Sequence, residues 1–236
     1  MNATLNEKAR LFYLDKLRGI LDGTTGIPAL LLESYATDPE VMHCSEGELC
    51  PARAYYRRTI APAPPLSDRA ILTFMRGRLF ERILADELPS ITKDGISGRV
   101  DGLWEGNLIE TKSTAMDMDK FNPLTSQPHW LQRSKAYCHL HDKQKLTLVV
   151  WFIVGNMWTH RTVNTGLKCW DLEFTESEIR ANWLHMQLQR SQLMACLEAG
   201  EAPNWSWIQS RLQVKYECGD CSFRDICTYP KKGEKK

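Results

Sequence analysis

The sequence predicts an α/β fold in which helices flank a mixed central sheet. Short β-prone runs lie at residues 96–104, 107–112, 145–154 and 158–174, and helical patterns precede, separate and follow them. The order helix, hairpin, helix, strand, strand, helix fits a sheet covered by helices. With 236 residues, of which 43% are hydrophobic, the chain is long enough for one sizeable core, or for a core with a small appended subdomain.

The N-terminal part of the chain is predicted to be mainly helical. Residues 5–21 show helical periodicity, and residues 24–38 are typical of a loop-rich connection. Cys50 precedes a proline that suits the first position of a helix. Residues 61–66 contain three prolines and predict a linker, after which a serine can cap a long helix over residues 67–88.

The part that follows the hairpin alternates between helix and strand. Residues 127–141 predict a helix, and residues 145–154 and 158–174 predict two strands. The sequence Thr-Glu-Ser-Glu at 175–178 is a capping box. A long helix should therefore run from there to about Ala199.

The hairpin is defined by a turn signal inside residues 96–112. Glu105-Gly106 favours a two-residue loop, which would pair Trp104 with Asn107. A loop at Gly106-Asn107 would move the register but preserve the shared face, whereas a loop of odd length would break it.

Continuing that ladder places Asp101 opposite Glu110. Because side chains of a strand alternate between faces, Asp101, Glu110 and Lys112 should project from the same side. Two carboxylates roughly 5 Å apart repel each other unless a cation lies between them. The pattern therefore indicates a metal-dependent phosphodiesterase, with an ordinary exposed hairpin carrying scattered charges as the alternative.

The carboxy-terminal cysteines form a second candidate site. Three of the eight cysteines follow the pattern C-x2-C-x5-C at 218–227, which is more typical of metal ligands than of disulfides. No apolar secretory leader is present, so we expect a reducing compartment in which thiolates are available.

A closed tetrathiolate site needs a fourth cysteine from elsewhere in the chain. Cys50, at the start of its predicted helix, is the best candidate, and Cys44 is the alternative. Cys138, Cys169 and Cys196 lie in apolar segments and are interpreted as buried structural thiols.

Together these motifs resemble the RecB-like PD-(D/E)xK nucleases that carry an iron–sulfur cluster. The shared features are Cys-Pro-x-Arg at 50–53, Asp101 followed by Glu-x-Lys at 110–112, and the cysteine pattern at 218–227. In size and layout the chain is similar to the CRISPR-associated exonucleases of the Cas-four type and their viral or stand-alone homologues. The resemblance implies a restriction-endonuclease-like core. It also implies degradation of single-stranded DNA ends with Mg²⁺ or Mn²⁺, or trimming of DNA captured during CRISPR adaptation.

The resemblance also implies roles for individual residues. Asp101 and Glu110 would bind the catalytic metal, and Lys112 would be the motif lysine. Where the family has histidine in a G-x3-H pattern, this chain has Glu81 four residues after Gly77. A carboxylate also suits a hard cation, so Glu81 is a third candidate ligand, while the number and preference of metals stay open.

The family also tends to have a glutamine four residues before a tyrosine in the next helix. Here Gln132 and Tyr137 are five apart, so Gln132 is kept as a candidate catalytic residue and Tyr137 is a weaker match. His129 and His139 are interpreted as structural histidines. The ligands implied for a 4Fe–4S cluster are Cys50, Cys218, Cys221 and Cys227. Four thiolates also suit structural zinc, and spacing alone leaves that choice open.

The charge pattern indicates local rather than general binding of nucleic acid. The net charge of +1 argues against a DNA-coating protein. The candidate DNA contacts are Arg53, Arg57, Arg58 and Tyr56, since arginines beside aromatic rings suit phosphate contact and base stacking. For Arg57 and Arg58, a solvated helix face above core tyrosines is the alternative.

These features predict three regions and a set of partners. Residues 1–66 would form an N-terminal helical region that contributes Cys50, residues 67–200 the nuclease core, and residues 201–236 the cysteine segment with a disordered tail. We expect single-stranded DNA as substrate, CRISPR adaptation proteins as candidate partners, and a cytoplasmic location. No membrane association is expected, because no apolar run reaches the span of a bilayer.

Two rival functions stay open. One is a non-catalytic nucleic-acid-binding subunit in which a degenerate nuclease core supports an iron–sulfur or zinc scaffold. The other is a zinc-stabilised interaction module. The polarity of digestion, exonuclease against endonuclease action, the oligomeric state and the CRISPR, viral or repair context are not specified by these residues.

Overall fold

The computed structural model describes residues 1–21, 38–48, 50–60, 77, 88–153, 166–204, 206–208, 218 and 221–227. The helices in this part of the chain are α1 (Glu7–Leu21), α2 (Cys44–Glu48), α3 (Pro51–Thr59), α4 (Pro128–Leu140) and α5 (Glu176–Ala199). The strands are β1 (Asn2–Leu5), β2 (Met42–His43), β3 (Ile91–Lys93), β4 (Ile96–Gly98), β5 (Gly102–Trp104), β6 (Asn107–Thr114), β7 (Lys145–Phe152) and β8 (Gly166–Glu173).

The central sheet has five strands in the order β1-β8-β7-β6-β5. Strands β6 and β7 are parallel, and the other neighbouring pairs are antiparallel. Parallel neighbours need a crossover connection, which here contains α4. The described structure is therefore a mixed α/β fold, as the order of patterns in the sequence predicted.

Helices cover both faces of this sheet. Leu108 and Leu148 belong to the larger core, to which α4 and α5 contribute Tyr137 and Trp183. Their neighbours Ile109 and Val149 point the other way into a smaller core that includes residues of α1. Because side chains alternate along a strand, consecutive residues of β6 and β7 enter different cores. Both strands are buried on two faces, which explains the nearly continuous apolar run of β7.

A second, three-stranded sheet with the order β2-β4-β3 packs against α4, where Gly98 lies close to Tyr137 and Leu140. The β3–β4 turn, Asp94-Gly95, has positive φ angles of 52° and 72°. Trp183 Nε1 of α5 donates to Asp94 Oδ2 at 2.9 Å, and Arg190 Nε donates to the Gly95 carbonyl oxygen at 2.9 Å. Side chains of α5 therefore hold the small sheet in place.

The predicted single strand over residues 96–104 is wrong. The segment divides into β4, which pairs with β2 and β3, and β5, which pairs with β6, with a break at residues 99–101. The break follows Gly98, which packs closely against Tyr137, Leu140 and Cys44. The chain therefore leaves the small sheet just before it enters the central one.

Most other predicted elements are confirmed. The periodicity at residues 5–21 corresponds to the last residue of β1 and to α1, and residues 127–141 contain α4. Proline occupies the start of α3 as expected. Thr175 accepts a hydrogen bond from the Glu178 N–H at 3.2 Å, and the Thr175 N–H donates to Glu178 Oε2 at 2.9 Å, which forms the predicted capping box.

Several predictions fall on residues outside the described part of the chain. They are the linker at 61–66, most of the connection at 24–38, most of the helix at 67–88 and the first part of the strand at 158–174. None of the described helices combines the length and apolar character needed to cross a bilayer.

We expect Gly98→Ala to lower the free energy of unfolding by about 1–3 kcal/mol, because overpacking a tight core forces its neighbours to shift. A Cβ atom at Gly98 would lie 2.8 Å from Tyr137 Cε1 and 2.9 Å from Cys44 Sγ. Urea denaturation followed by circular dichroism measures the change.

Gly77→Ala is the matched control. Gly77 has helical backbone, and a Cβ atom there would meet no described atom within 4 Å. This variant should be neutral or more stable by about 0.5–1 kcal/mol. Equal losses in the two variants would contradict the packing at Gly98.

Candidate active site

Strand β6 presents Glu110 and Lys112 on the face that α4 covers. These residues alternate with Thr111, and they lie in register with Leu148 and Val150 of β7, which belong to the larger core. The Glu110 side chain is 1% exposed and that of Lys112 is 11% exposed. Lys112 Nζ donates to Glu110 Oε1 and, at 2.9 Å, to the Thr111 carbonyl oxygen. The predicted side-by-side placement of this acid and this lysine is confirmed.

Asp101 directly precedes the first residue of β5, and its N–H donates to the Ile109 carbonyl oxygen of β6. The predicted turn is confirmed, since Glu105 and Gly106 have φ angles of 50° and 78° and Trp104 pairs with Asn107. The ladder ends at Gly102 and Ile109, however, so the predicted pair of Asp101 opposite Glu110 is wrong.

A bend replaces the expected extended conformation at Asp101. Asp101 Oδ2 accepts hydrogen bonds from the Thr111 N–H at 2.7 Å and from the Thr111 hydroxyl at 2.8 Å. The carboxylate of Asp101 is therefore fixed by Thr111, the residue that follows Glu110 in β6, rather than by pairing opposite Glu110 in a ladder.

A half-buried arginine on α4 completes this cluster. Arg133 Nη1 lies 3.6 Å from Glu110 Oε1, and Arg133 Nε and Nη2 contact Oε1 of Glu48 at the end of α2. Glu48 is 1% exposed and Arg133 is 19% exposed. One arginine thus connects carboxylates from two elements, and sequence reasoning identified neither Glu48 nor Arg133.

The environment of Glu110 favours its protonated form when no further cation is present. Burial raises the pKa of Glu110 to about 8, and the carboxylate of Asp101 acts in the same direction, while Lys112 and Arg133 oppose the shift. No described group forms a hydrogen bond with Glu110 Oε2, although this atom is buried. A buried carboxylate oxygen of this kind is suited to a cation.

The same face of α4 carries His129 and Tyr137, which lie one helical turn on either side of Arg133. Burial, with help from Arg133 and Lys112, lowers the pKa of His129 to about 4, so its ring is neutral near pH 7. Its buried Nδ1 has no hydrogen-bond partner within the described residues. Burial and Glu110 raise the pKa of Tyr137, which keeps the phenol protonated.

Of the other predicted site residues, Gln132 is described. Gln132 lines a hollow between α2, α4 and α5 together with Glu48 and Asn182, whose side-chain amide donates to the Gln132 carbonyl oxygen at 3.0 Å. The α4 residue that contacts Glu110 is Arg133, one position later. Glu81 lies outside the described residues, so its role as a third ligand stays a prediction.

The residues present fit a cation that retains water ligands. Within the described residues, no three His, Cys, Asp or Glu side chains are grouped to hold one ion. Mg²⁺, however, often binds through one or two carboxylates and completes its octahedron with water and phosphate oxygens. Asp101 and Glu110, with the buried Oε2 of Glu110, are a donor set of that kind.

Three of the four candidate cluster cysteines come from distant parts of the sequence and pack against one core. The eight cysteines form no disulfide, and Cys50, Cys221 and Cys227 contact the larger core. The turn that contains Cys221 and Cys227 docks on α3, because Phe223 stacks on Tyr56 with ring centroids 5.9 Å apart. The thiol chemistry suits iron–sulfur or zinc, although the described thiols are not grouped as a closed site.

Two of the predicted DNA contacts are structural. Arg58 Nη1 and Nη2 donate to the two oxygens of Glu46 at 2.7 and 2.8 Å, and the two side chains are 3% and 4% exposed. Tyr56 is buried against Phe223, so its ring is not presented for base stacking. Arg58 is therefore neither available to DNA nor on a solvated helix face, although the tyrosines beside it lie in the core as that alternative expected. Arg53 is half-buried and Arg57 is exposed, so both stay predicted contacts.

Several solved structures are distantly similar to this chain, among them SSO0001 and an alkaline exonuclease. No protein-family model matches the sequence, and no curated protein is significantly similar to it. The crystal structure of SSO0001 is 17% identical, with a TM-score of 0.44 over 93% of this chain and 96% of that one. An alkaline exonuclease (LHK-Exo) from Laribacter hongkongensis is 15% identical, with a TM-score of 0.48 over 70% of this chain and 93% of that one. At this level of similarity neither structure assigns an activity to this chain.

We expect Glu110 to make the metal-free protein less stable as the pH rises. Its folded pKa of about 8 exceeds the ordinary value of 4.5, so the folded state holds a proton that the unfolded chain releases between these values. The contribution of Glu110 to the free energy of unfolding should therefore fall with pH in this window, by at most about 1.4 kcal/mol per pH unit. Burial lowers the pKa of His43 and of His129 to about 4, which opposes this trend below pH 6.5, so the slope of Glu110 is compared between pH 6.5 and pH 8.

Glu110→Gln should flatten that slope, because glutamine does not titrate. Glu173→Gln, at an exposed position of β8, should keep the slope of the unmodified protein. Urea denaturation in chelator-containing buffers from pH 5 to pH 9 makes the comparison. An unchanged slope in Glu110→Gln would show that another group is responsible.

Proposed function

We propose that this protein is a metal-dependent DNA nuclease that acts on single-stranded DNA ends. The main support is the buried carboxylate of Glu110, which lies between Lys112 and Arg133 and has an oxygen without a hydrogen-bond partner among the described residues. A buried acid with a raised pKa and specific charged neighbours is typical of a functional site. The motif resemblance supplies the reaction, which is hydrolysis of a phosphodiester.

A bound Mg²⁺ or Mn²⁺ would polarise the phosphate and lower the pKa of an attacking water. Asp101 and Glu110 would hold the ion, and Glu81 is a further candidate ligand. Asp101 is pre-positioned for this role, because two hydrogen bonds from Thr111 fix one of its oxygens.

Lys112 places a positive charge within reach of the reacting phosphate. In the structure its ammonium is held by Glu110 and by the Thr111 carbonyl oxygen, so its direction is set by β6. When Glu110 binds a cation, the ammonium can orient the attacking water or balance the negative charge that develops on phosphate. The hydroxyl of water joins phosphorus, one phosphorus–oxygen bond breaks, and the departing sugar oxygen receives a proton.

We expect Lys112→Ala and Asp101→Asn each to lower Mn²⁺-dependent cleavage at least about a hundredfold, as is usual when a group that stabilises the transition state is removed. The substrate is a labelled single-stranded oligonucleotide, supplied with a free end or with the 5′ or 3′ end blocked. Gel analysis of the products reports rate and polarity together.

Lys93→Ala and Asp119→Asn are the matched controls. Each removes the same kind of charge from an exposed ion pair outside the cluster, and each should retain full activity. Full activity in Lys112→Ala or Asp101→Asn would remove the residue concerned from the site, and an inactive unmodified protein would contradict the nuclease proposal.

One observation favours a second candidate function, the non-catalytic nucleic-acid-binding subunit. Lys112 and Arg133 already lie beside Glu110 in the place of a metal cation, as they would in a core that has lost its metal. DNA binding without Mn²⁺-dependent cleavage by the unmodified protein would support this alternative.

We further propose that Cys50, Cys218, Cys221 and Cys227 hold a 4Fe–4S cluster with a structural role. The support is the C-x2-C-x5-C pattern together with the docking of the Cys221–Cys227 turn on α3, which begins directly after Cys50. Ligation across about 170 residues would restrict the unfolded chain and add binding free energy. Zinc is the competing occupant.

Anaerobically purified protein should be brown and contain iron and acid-labile sulfide. Cys221→Ser should lose both and should lower the thermal midpoint. Cys196→Ser, at a half-buried cysteine of α5, should keep them. Colourless protein with stoichiometric zinc would overturn the iron–sulfur assignment but leave the structural role of the thiols intact.

The proposed nuclease activity fits several cellular processes. Trimming of DNA in CRISPR adaptation, with adaptation proteins as partners, and processing of viral or repair DNA in the cytoplasm each fit an exonuclease of this kind. The oligonucleotide experiment identifies the preferred DNA end and so narrows the choice among these settings.

A further inference from the structure

Arg133 is the one described cation that contacts both Glu48 and Glu110. Its two contacts differ in kind. Nε and Nη2 contact a single oxygen of Glu48, whereas Nη1 lies 3.6 Å from Glu110, which is longer than a hydrogen bond. The guanidinium is therefore anchored on the Glu48 side and only loosely held on the Glu110 side.

The charges of the cluster leave room for a cation and a phosphate together. With every group ionised, the carboxylates of Glu48, Asp101 and Glu110 outnumber the cations Lys112 and Arg133 by one. One divalent cation and one phosphodiester would bring the site to neutrality. Without Arg133 the same assembly would carry one negative charge, which would repel the DNA backbone.

We propose that Arg133 is a substrate-binding residue that donates from Nη1 to a non-bridging oxygen of the phosphodiester once a divalent cation occupies Glu110. This inference rests on the proposed nuclease function. Cation binding draws Glu110 away from the guanidinium, and Glu48 keeps the other edge of the guanidinium in place. Guanidinium groups suit this task because their planar array of donors matches phosphate oxygens. Arg133 is 19% exposed, so part of its side chain is accessible.

The inference predicts opposite effects on two ligands. In Arg133→Gln, the affinity for Mn²⁺ alone should rise, because a cation that competes for Glu110 has been removed. The affinity for a single-stranded oligonucleotide, measured by fluorescence anisotropy with Ca²⁺ in place of the catalytic ion, should fall about tenfold or more, the loss expected for a charge-assisted hydrogen bond. Isothermal titration calorimetry measures the Mn²⁺ affinity.

A second variant guards against misfolding. Arg133→Gln leaves the Glu48 carboxylate buried beside a neutral side chain, which can destabilise the fold. The double variant Glu48→Gln with Arg133→Gln removes both charges and should show the same weak DNA binding. Arg133→Lys keeps the charge but loses the planar array of donors, so its DNA affinity should lie between those of the unmodified protein and Arg133→Gln.

Arg190→Gln is the matched control. Arg190 is an arginine of α5 that donates to the backbone carbonyl oxygens of Gly95 and Glu40. This variant should leave both affinities unchanged. A parallel fall of Mn²⁺ and DNA affinity in the Arg133 variants would mean that Arg133 only supports the fold, and unchanged DNA affinity would likewise overturn the inference.

The two proposals fail in different ways. If the unmodified protein cleaves DNA and Arg133→Gln cleaves it with unchanged KM, the nuclease function stands and the role of Arg133 is wrong. If the unmodified protein binds neither Mn²⁺ nor DNA, the nuclease function itself is wrong and the inference about Arg133 falls with it.

Discussion

The burial of Glu110 is the constraint on which the candidate site depends. A carboxylate in the interior has a high free energy unless it is protonated or paired with a cation. Burial raises its pKa to about 8, and Lys112 and Arg133 partly offset this cost. One added cation would therefore favour its ionised form, and β6 and α4 supply the two cations that already lie beside it.

Short sequence motifs correctly predicted the turns and helix caps, whose conformation depends on neighbouring residues. Glu105-Gly106 adopts the left-handed turn that the two-residue loop requires, and Thr175 caps α5 as its spacing with Glu178 indicated. The mixed sheet followed from the order of the patterns. The placement of Glu110 beside Lys112 also followed, because alternation along a single strand needs no knowledge of its neighbours.

What the sequence could not predict depends on partners that are distant along the chain. Residues 96–104 divide into two strands because β4 pairs in the small sheet and β5 pairs in the central sheet. The local sequence preferences do not specify which sheet each part joins. Arg133 and Glu48 are 85 residues apart, and nothing near either residue marks the pair. One signal was available, because Arg133 and Tyr137 have the four-residue helical spacing that Gln132 and Tyr137 lack.

The same geometry explains why arginine, rather than glutamine, is compatible with this position of α4. Glu48 is buried at the end of α2, and a neutral side chain on α4 would remove the cation that contacts both Glu48 and Glu110. A guanidinium can satisfy Glu48 through one edge and still present a donor to Glu110 through the other. Arg133 therefore joins the packing of α2 against α4 to the charge balance of the site. A substitution there should alter fold stability and ligand binding together, which is why only effects of opposite sign on Mn²⁺ and DNA can separate the two roles.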